Sequence, residues 1–463
     1  MISEYIDLFY MTAAGLFIFG LKYLNHPETA RKGNLLSMGA MLMAIIVTLL
    51  HHDVVSFGMV ITGLVIGSAV GFGWARVVKM TDMPQMVAVF NGFGGLASVL
   101  VGLSEIARLT PNFDNFTIIV LVLTLLIGGV TFSGSMVAFA KLQGLLGGSP
   151  ILLPARHMVN AGLGVLVVVL GAVLVASPGA WFFHVLITVI SLALGVLLTI
   201  PIGGADMPVV ISLLNSYSGL AVAMTGLVLS APVLVTVGSL VGAAGLILTK
   251  IMCVGMNRSL VNVLFGGFGQ ESTGLAMPPS EMAEGEGPNV FTVDQAVEAM
   301  KMAKSVIIVP GYGLAAAQAQ HAVREMADLL QKRGTDVKYA IHPVAGRMPG
   351  HMNVLLAEAN VPYPQLYDMD DINDDFAKTD VSIVIGANDV VNPGAKTNPH
   401  SPIYGMPVLN VEESKQVLVL KRSMNPGFAG IDNELFLMEN CAMVFGDAKA
   451  TVNGFVQGLS NSK

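Results

Sequence analysis

Lys304-Ser-Val-Ile-Ile-Val-Pro310, running directly into Gly311-Tyr-Gly313-Leu-Ala-Ala-Ala-Gln318, is the stretch on which the reading of this 463-residue chain turns. The first part is a short apolar run of the length of a buried strand, and the second sets two glycines where that strand would hand over to a helix. Such a turn lets backbone approach a pyrophosphate, whose charge is favoured by N–H groups at a helix start. Alone it is weak evidence, since many tight turns look alike; its place between strand and helix strengthens it.

Upstream the chain has a different character. With 54% hydrophobic residues and a mean hydropathy of +0.70 it is too apolar for a soluble protein, and it is long enough for two domains. Residues 1–258 hold 10 of the 24 Lys and Arg but only 8 of the 31 Asp and Glu, so the acidity sits in the tail, which should repel nucleic acid. Cys253 and Cys441, one in each half, suggest neither a disulfide framework nor a metal site and fit a reducing, cytosolic tail.

Apolar stretches able to cross a hydrocarbon core of about 30 Å fall near residues 5–24, 35–50, 54–74, 84–103, 116–140, 158–176, 180–202, 208–230 and 232–252, predicting about nine transmembrane helices. Glu4 and Asp7 stand where a cleaved signal peptide would carry basic residues, so the first helix reads as retained. Lys22, Arg31, Lys32, Arg76, Lys79, Lys141, Arg156, Lys250 and Arg258 flank the even-numbered connections or follow the ninth helix. Those faces are therefore expected in the cytoplasm, with the N-terminus outside and the C-terminal domain inside. Gly63, Gly67 and Gly71, and again Gly238, Gly242 and Gly245, predict close helix packing in a compact bundle.

Two of these helices begin alike. Asp82-Met-Pro84, Asn91, Phe93 and Gly95-Leu-Ala97 recur as Asp206-Met-Pro208, Asn215, Tyr217 and Gly219-Leu-Ala221, at a constant offset of 124 residues. Both copies run from the cytoplasm outward, as in a parallel repeat about an axis along the membrane normal. Nine residues separate each aspartate from its asparagine, about 13.5 Å of helix, which places Asn91 and Asn215 near the bilayer midplane. Asp82 and Asp206 read either as helix caps ahead of a tolerated proline or as groups with a part in coupling. The asparagines read as a pair that can hold water where an ion or proton must cross, against the plainer reading of helix glue. No titratable residue stands at the centre of a predicted helix, and His184, a few residues into the seventh, reads as structural.

Beyond a Gly-, Pro-, Ser- and Glu-rich linker at 259–287, residues 288–463 alternate strands with helices. Strands are expected at Ser305 to Val309, Val337 to Ile341, Ser382 to Ile385, Val408 to Val411, Val417 to Leu420 and Ala442 to Phe445, with helices such as Leu314 to Arg333 and Met352 to Ala359. This pattern predicts a Rossmann-like, doubly wound parallel sheet, an α/β domain behind a multi-pass all-α one. Ligands in such sheets lie beyond the carboxyl ends of the strands. Here those ends carry Gly311-Tyr-Gly313, His342-Pro-Val-Ala-Gly-Arg-Met-Pro-Gly350, Gly386-Ala-Asn-Asp389, Lys421-Arg-Ser423 and Gly446-Asp-Ala448. The second strand ends in His342, where an acidic residue would hold the ribose 2′-hydroxyl of NAD. Lys421, Arg422 and Ser423 instead suit a doubly charged 2′-phosphate, unless they form a solvated basic pair on a loop. Asn425-Pro-Gly-Phe-Ala-Gly430 has the composition of a mobile lid.

At these residues the chain closely resembles the beta subunit of proton-translocating NAD(P) transhydrogenase over essentially its whole length. The most specific stretches are Gly203-Gly-Ala-Asp-Met-Pro208, Asn215-Ser-Tyr-Ser218, Met256-Asn-Arg258, Pro310-Gly-Tyr-Gly313, Ile341-His-Pro-Val-Ala-Gly-Arg-Met-Pro-Gly-His-Met-Asn-Val354, Gly386-Ala-Asn-Asp389 and Lys421-Arg-Ser-Met424. The resemblance implies that the tail binds NADP(H). Its lining residues would be Gly311, Tyr312 and Gly313; Val344, Ala345, Gly346, Arg347, Met348 and Pro349; and Gly386, Ala387, Asn388, Asp389 and Val390. To these it adds Gly405 and Met406; Lys421, Arg422, Ser423, Met424, Asn425, Pro426, Gly427 and Phe428; and Asp447 and Ala448. Asp389, His342 and Arg347 would serve the chemistry, and Asn91, Asn215, Asp206 and Arg258 the proton path, although Arg258 also reads as a positive-inside anchor. Hydride would pass to or from NAD(H) on a separate alpha subunit, in a dimer of alpha-beta units in a bacterial inner membrane, coupled to proton flow. Some relatives carry a membrane histidine where this chain has Asn91, so the protonatable group would come from the alpha subunit.

Two other classes make different demands on the sequence. A channel whose nucleotide fold senses the cofactor should show a filter loop or midplane charges, and a haem-bearing reductase should show paired helix histidines; the sequence has neither.

Overall fold

In hydrocarbon every backbone N–H and C=O must bond within its own segment, so long apolar runs fold as helices. The computed structural model describes residues 2–24, 27–50, 57–109, 114–146, 151, 153–203, 206–256, 259–265, 287–348, 350–399, 401, 403–427 and 429–461. The chain divides into two compact units, Met1–Thr249 and Lys250–Lys463. Helices α1 (Ile2–Leu24), α2 (Pro27–Leu49), α3 (Phe57–Val77), α4 (Met83–Leu109), α5 (Asn115–Leu142), α6 (Arg156–Ala176), α7 (Trp181–Thr199), α8 (Met207–Val228) and α9 (Pro232–Gly255) fall over the nine expected stretches. Among the described residues, eight helices are long and apolar enough to cross a membrane, and α1 adds a shorter apolar segment, Leu8–Leu24.

Helix α5 is the centre of this unit, with Leu121 and Leu125 fully buried, and it packs on α4, α7 and α8. A Cβ on Gly95 would stand 2.7 Å from the carbonyl oxygen of Gly128, so α4 and α5 cross backbone to backbone. Gly238 and Gly242 do the same against Gly219 of α8, as the small-residue pattern predicts. Gly63, Gly67 and Gly71 do not: α3 buries no residue, and a Cβ on any of the three would meet nothing within 4 Å. A small-residue stripe only packs where a partner helix lies against it, and among the described residues this chain supplies none.

The second unit holds α10 (Leu260–Phe265), α11 (Val293–Met302), β1 (Ser305–Pro310), α12 (Tyr312–Ala316), α13 (Gln320–Lys332), β2 (Asp336–Ile341), α14 (His351–Glu358), β3 (Leu366–Asp368), α15 (Met369–Ile372), β4 (Val381–Ile385), α16 (Gly394–Thr397), β5 (Gln416–Lys421), β6 (Cys441–Phe445) and α17 (Ala448–Ser460). The six strands are parallel in the order β3-β2-β1-β4-β5-β6, a doubly wound sheet of Rossmann type whose order reverses between β1 and β4. Ile307, Val309, Val384, Val417 and Val419 pack with Ile372, Phe376, Leu435 and Phe436 in one fully apolar cluster. Each such side chain contributes about 1.5–3 kcal/mol by leaving water. Thr292 caps α11 in a reciprocal box with Gln295, fixing where that helix starts.

Three expectations are corrected. Val408 to Val411 is not a strand, although Val408, Leu409 and Val411 are buried: the Asn373 amide donates to the Val408 carbonyl at 3.0 Å and accepts the Asn410 N–H at 3.1 Å. A side chain thus replaces the ladder that a buried run otherwise needs. The sixth strand is β3, whose three residues are too few to show a period. The helix expected over Leu314 to Arg333 is broken between α12 and α13 at Gln318, which adopts φ +51°.

Candidate functional site

The strand order places a crevice beyond β1 and β4, and two turns fill its floor. Gly386, at φ +66°, has its Cα so close to Gly313 that a Cβ there would stand 2.3 Å from the Gly313 Cα. Gly311 N–H donates to Ile385 O at 2.9 Å and Gly313 N–H to Gly386 O at 3.0 Å. The glycines of the first turn therefore serve contact with the second turn, and two of the N–H groups expected to face a pyrophosphate are spent on it. Ala387 is buried beside them.

The next strand end forms a stacked group. The Arg347 guanidinium lies 4.2 Å from the centre of the Tyr312 ring, and the His351 ring centre lies 6.3 Å from that of Tyr312. His351 Nδ1 accepts the Arg347 N–H at 3.0 Å, and Gly346, at φ +108°, leaves room for the imidazole. His342 is buried beneath: its Nδ1 accepts from Val344 N–H at 3.3 Å, so Nε2 carries the hydrogen and donates to Pro407 O at 2.8 Å. Burial pushes this imidazole down to about 4, against the weaker opposing pull of the Pro407 carbonyl. Ala345 is buried, and Val344, Gly346, Arg347 and Met348 are half-buried around it. Pro349 lies outside the described residues.

Across the crevice the chain after β5 folds over the end of β4. Asp389 Oδ2 accepts the Ala429 N–H at 3.0 Å, and a Cβ on Gly427 would meet Asp389 Oδ1 at 2.6 Å and Asn388 Nδ2 at 2.8 Å. Asn388 is held by Asn433, whose amide donates to its backbone and side-chain oxygens. Lys421 Nζ donates to Asn425 O at 2.8 Å and sits 4.6 Å from the Phe436 ring centre; burial lowers its pKa, against Asp389 and Asp432. Arg422 pairs with Asp447 at 3.0 Å in the open, while the other oxygen of Asp447 caps α17 through Lys449 and Ala450 N–H, ahead of the helical residue Ala448. Those backbone bonds, the Ala450 one first, hold the carboxyl below its ordinary range. Ser423 Oγ accepts from Asn425 N–H, Met424 packs on the apolar cluster, and Asn425 and Pro426 are exposed. Val390 O accepts from Leu409 N–H, Gly405 turns at φ +75° beside buried Met406, and Phe428 lies outside the described residues.

These residues fit a phosphorylated dinucleotide. Two cations on one strand end suit phosphate, a stacked tyrosine suits a planar ring, and Asn388 Nδ2 is a buried donor with no partner among the described residues.

In the helical unit Asn91 bridges three helices. Its Nδ2 donates to Ser135 Oγ of α5 at 3.0 Å, and its Oδ1 accepts from Ser218 Oγ of α8 at 2.7 Å. Asn215 is not brought to it: that residue is exposed on α8 and makes no side-chain hydrogen bond among the described residues. Asp206 precedes α8 without accepting an N–H from it, which removes the capping reading there. His184 Nε2 lies 3.2 Å from Pro178 O, a local tie, and Arg258 lies outside the described residues. Ser135 carries no distinct signal in the sequence, since serine is common in a small-residue helix, and Ser218 enters it only within the Asn215–Ser218 stretch, with no role of its own. His351 stands within the Ile341–Val354 stretch without a sequence signal for its contacts with Arg347 and Tyr312.

The match with known proteins covers nearly all of this architecture. The family model described as NAD(P) transhydrogenase beta subunit matches residues 6–458. The chain belongs to the NAD(P) transhydrogenase beta subunit family. NAD(P) transhydrogenase subunit beta of Rhodospirillum rubrum is 50% identical over 460 residues, covering 97% of this chain and 98% of that subunit. The subunit of the same name from a defined strain of that species matches to the same extent. Membership in this transhydrogenase family sets the class of chemistry, one that involves a nicotinamide nucleotide, and the match runs through both units.

Proposed function

We propose that this chain is the NADP(H)-binding and membrane subunit of a proton-pumping transhydrogenase, divided into a proton-translocating domain at 1–258, a linker at 259–287 and an NADP(H) domain at 288–463. The observation that carries this reading is the crevice at the strand-order reversal, walled by Arg347 stacked on Tyr312 on one side and by Lys421 and Arg422 on the other. Bound NADP(H) supplies or accepts the hydride. Arg422 would hold the 2′-phosphate, with Lys421 and Ser423 beside it. Asn388 and Asp389, beside the Gly427 segment, would orient the cofactor, and Arg347 and Tyr312 would hold it. His342, neutral and internally bonded, positions the Val344–Arg347 loop and exchanges no proton with the reactants.

The second nucleotide, NAD(H), belongs to an alpha subunit, since the described residues contain one dinucleotide fold. The assembly is a dimer of alpha-beta units in a bacterial inner membrane, N-terminus outside, tail in the cytoplasm. Coupling requires that protonation alter how NADP(H) is held, because cofactors of nearly equal potential cannot by themselves drive a proton. Asn91, Ser135 and Ser218 form the polar part of the path, Asn215 joins it through an alpha-subunit helix laid against its exposed face, and Asp206 and Arg258 serve its cytoplasmic side. Reconstituted alpha-beta vesicles loaded with a pH-sensitive dye test this. Asn91→Leu and Asn215→Leu should abolish acidification and the coupled NADPH-to-NAD exchange while NADPH binding persists. Parental pumping by both variants would place the path elsewhere.

A further inference from the structure

One end of the helical unit gathers the starts of α4 and α8 and the ends of α5 and α7, and its buried polar groups are unequally satisfied. Gln85, in the first turn of α4, is 5% exposed, and its Nε2 donates to the Leu142 carbonyl at the end of α5, at 3.4 Å. The group facing a carbonyl must be the NH2, so Oε1 points the other way, and it has no donor among the described residues. Pro84 before it has no N–H to give. Next to Leu142, the buried Lys141 ammonium donates to the Ile200 and Ile202 carbonyls at 2.7 Å each. Those two carbonyls frame the bend that leads to Asp206. The charged residues that these helix ends carry are Lys141 near the end of α5, Asp82 before α4 and Asp206 before α8; this end of α7 carries none among the described residues.

A buried amide oxygen without a donor is unfavourable, and folded proteins satisfy such atoms with ordered water where no side chain reaches. Packing does not require an amide at this position. The internal repeat places Val209 where Gln85 stands in the first copy, and Val209 is fully buried. An apolar side chain therefore fills the equivalent site, and the amide is an addition that calls for a ligand of its own.

We propose that Gln85 Oε1 holds a water molecule, and that this water is the first proton-carrying site on the way to Asn91. The inference rests on the proton-pumping reading above. Gln85 and Asn91 lie six residues apart on α4, about 9 Å along the axis, a distance that about three hydrogen-bonded waters cover. In each transit the water accepts one proton from the aqueous side and releases another inward, leaving water and amide unchanged.

The test uses the complete alpha-beta complex in dye-loaded vesicles, with Gln85→Leu and Gln85→Glu. Gln85→Leu removes the acceptor and should slow pumping at least tenfold with NADPH affinity unchanged. Gln85→Glu keeps length and polarity but adds a titratable oxygen, so pumping should persist with its pH profile displaced, which a merely structural role would not produce. If the parental complex exchanges hydride without acidifying the vesicles, the pumping reading itself fails. If the parent pumps and both variants keep its rate and profile, the water site is wrong. Should Gln85→Leu not assemble, Gln85→Glu decides alone: an undisplaced profile overturns the proposal.

Discussion

His342 stabilises the second unit only while it is uncharged. Its folded pKa, about 4, lies below the ordinary value of 6.5, so the neutral form is preferred in the folded state. Its contribution is therefore fully present above pH 6.5 and is lost as pH falls through 4, over a total of about 3 kcal/mol. Chemical denaturation of the parent should show stability falling between pH 6.5 and 4 more steeply than in His342→Gln, which cannot titrate; parallel curves would refute the neutral assignment. Arg422 is a different kind of residue. Its ion pair with Asp447 is exposed and worth little, so truncation should leave stability nearly unchanged. Loss of a charge-assisted bond to a 2′-phosphate should weaken NADPH binding by about 1.5–3 kcal/mol, with NADH binding unaltered. Titration calorimetry on Arg422→Ala separates the two, and equal NADPH affinity would remove the residue from the site.

At the scale of elements, the interlocked turns after β1 and β4 decide how the crevice is built. Gly386 and Gly430 both lie near φ +70°, but a Cβ on Gly386 would strike the Gly313 backbone whereas one on Gly430 would meet nothing within 4 Å. Gly430→Ala should cost only the left-handed strain, about 1–2 kcal/mol, and Gly386→Ala about 1–3 kcal/mol more for displaced backbone. Thermal unfolding with and without NADPH reads both; equal losses would show that the turns can part freely. The sheet was legible wherever a strand was long and apolar, as at Ser305–Pro310. It was illegible at Leu366–Asp368, too short for a period, and misread at Val408–Val411, whose burial is real but whose backbone is bonded by Asn373. The glycine turn was legible as a close backbone approach but not as to its partner, the Gly386 turn, because sequence shows which residue lacks a Cβ but not what occupies the space. Likewise the repeat exposed Asn91 and Asn215 as equivalents, while only three-dimensional packing separates a bridged asparagine from an exposed one.

For the whole molecule, one dinucleotide fold among the described residues sets the limit of what the chain does unaided. The purified chain should bind NADPH yet show no NADPH-to-NAD hydride exchange until an alpha subunit is added, and a coupled absorbance assay with an NAD analogue checks this; exchange by the single chain would refute it. The helical unit points the same way, since α3 buries nothing and Asn215 projects from α8. An amide left exposed on a membrane helix is unfavourable, which a second polypeptide's helix can relieve. In a living cell this becomes a rule of stoichiometry: copies of the chain made in excess of their partner would keep an uncovered amide and an uncovered helix, would be less stable, and would be cleared faster by proteases. The two subunits would then be matched in number by selective survival after synthesis, even where their messages are translated at unequal rates.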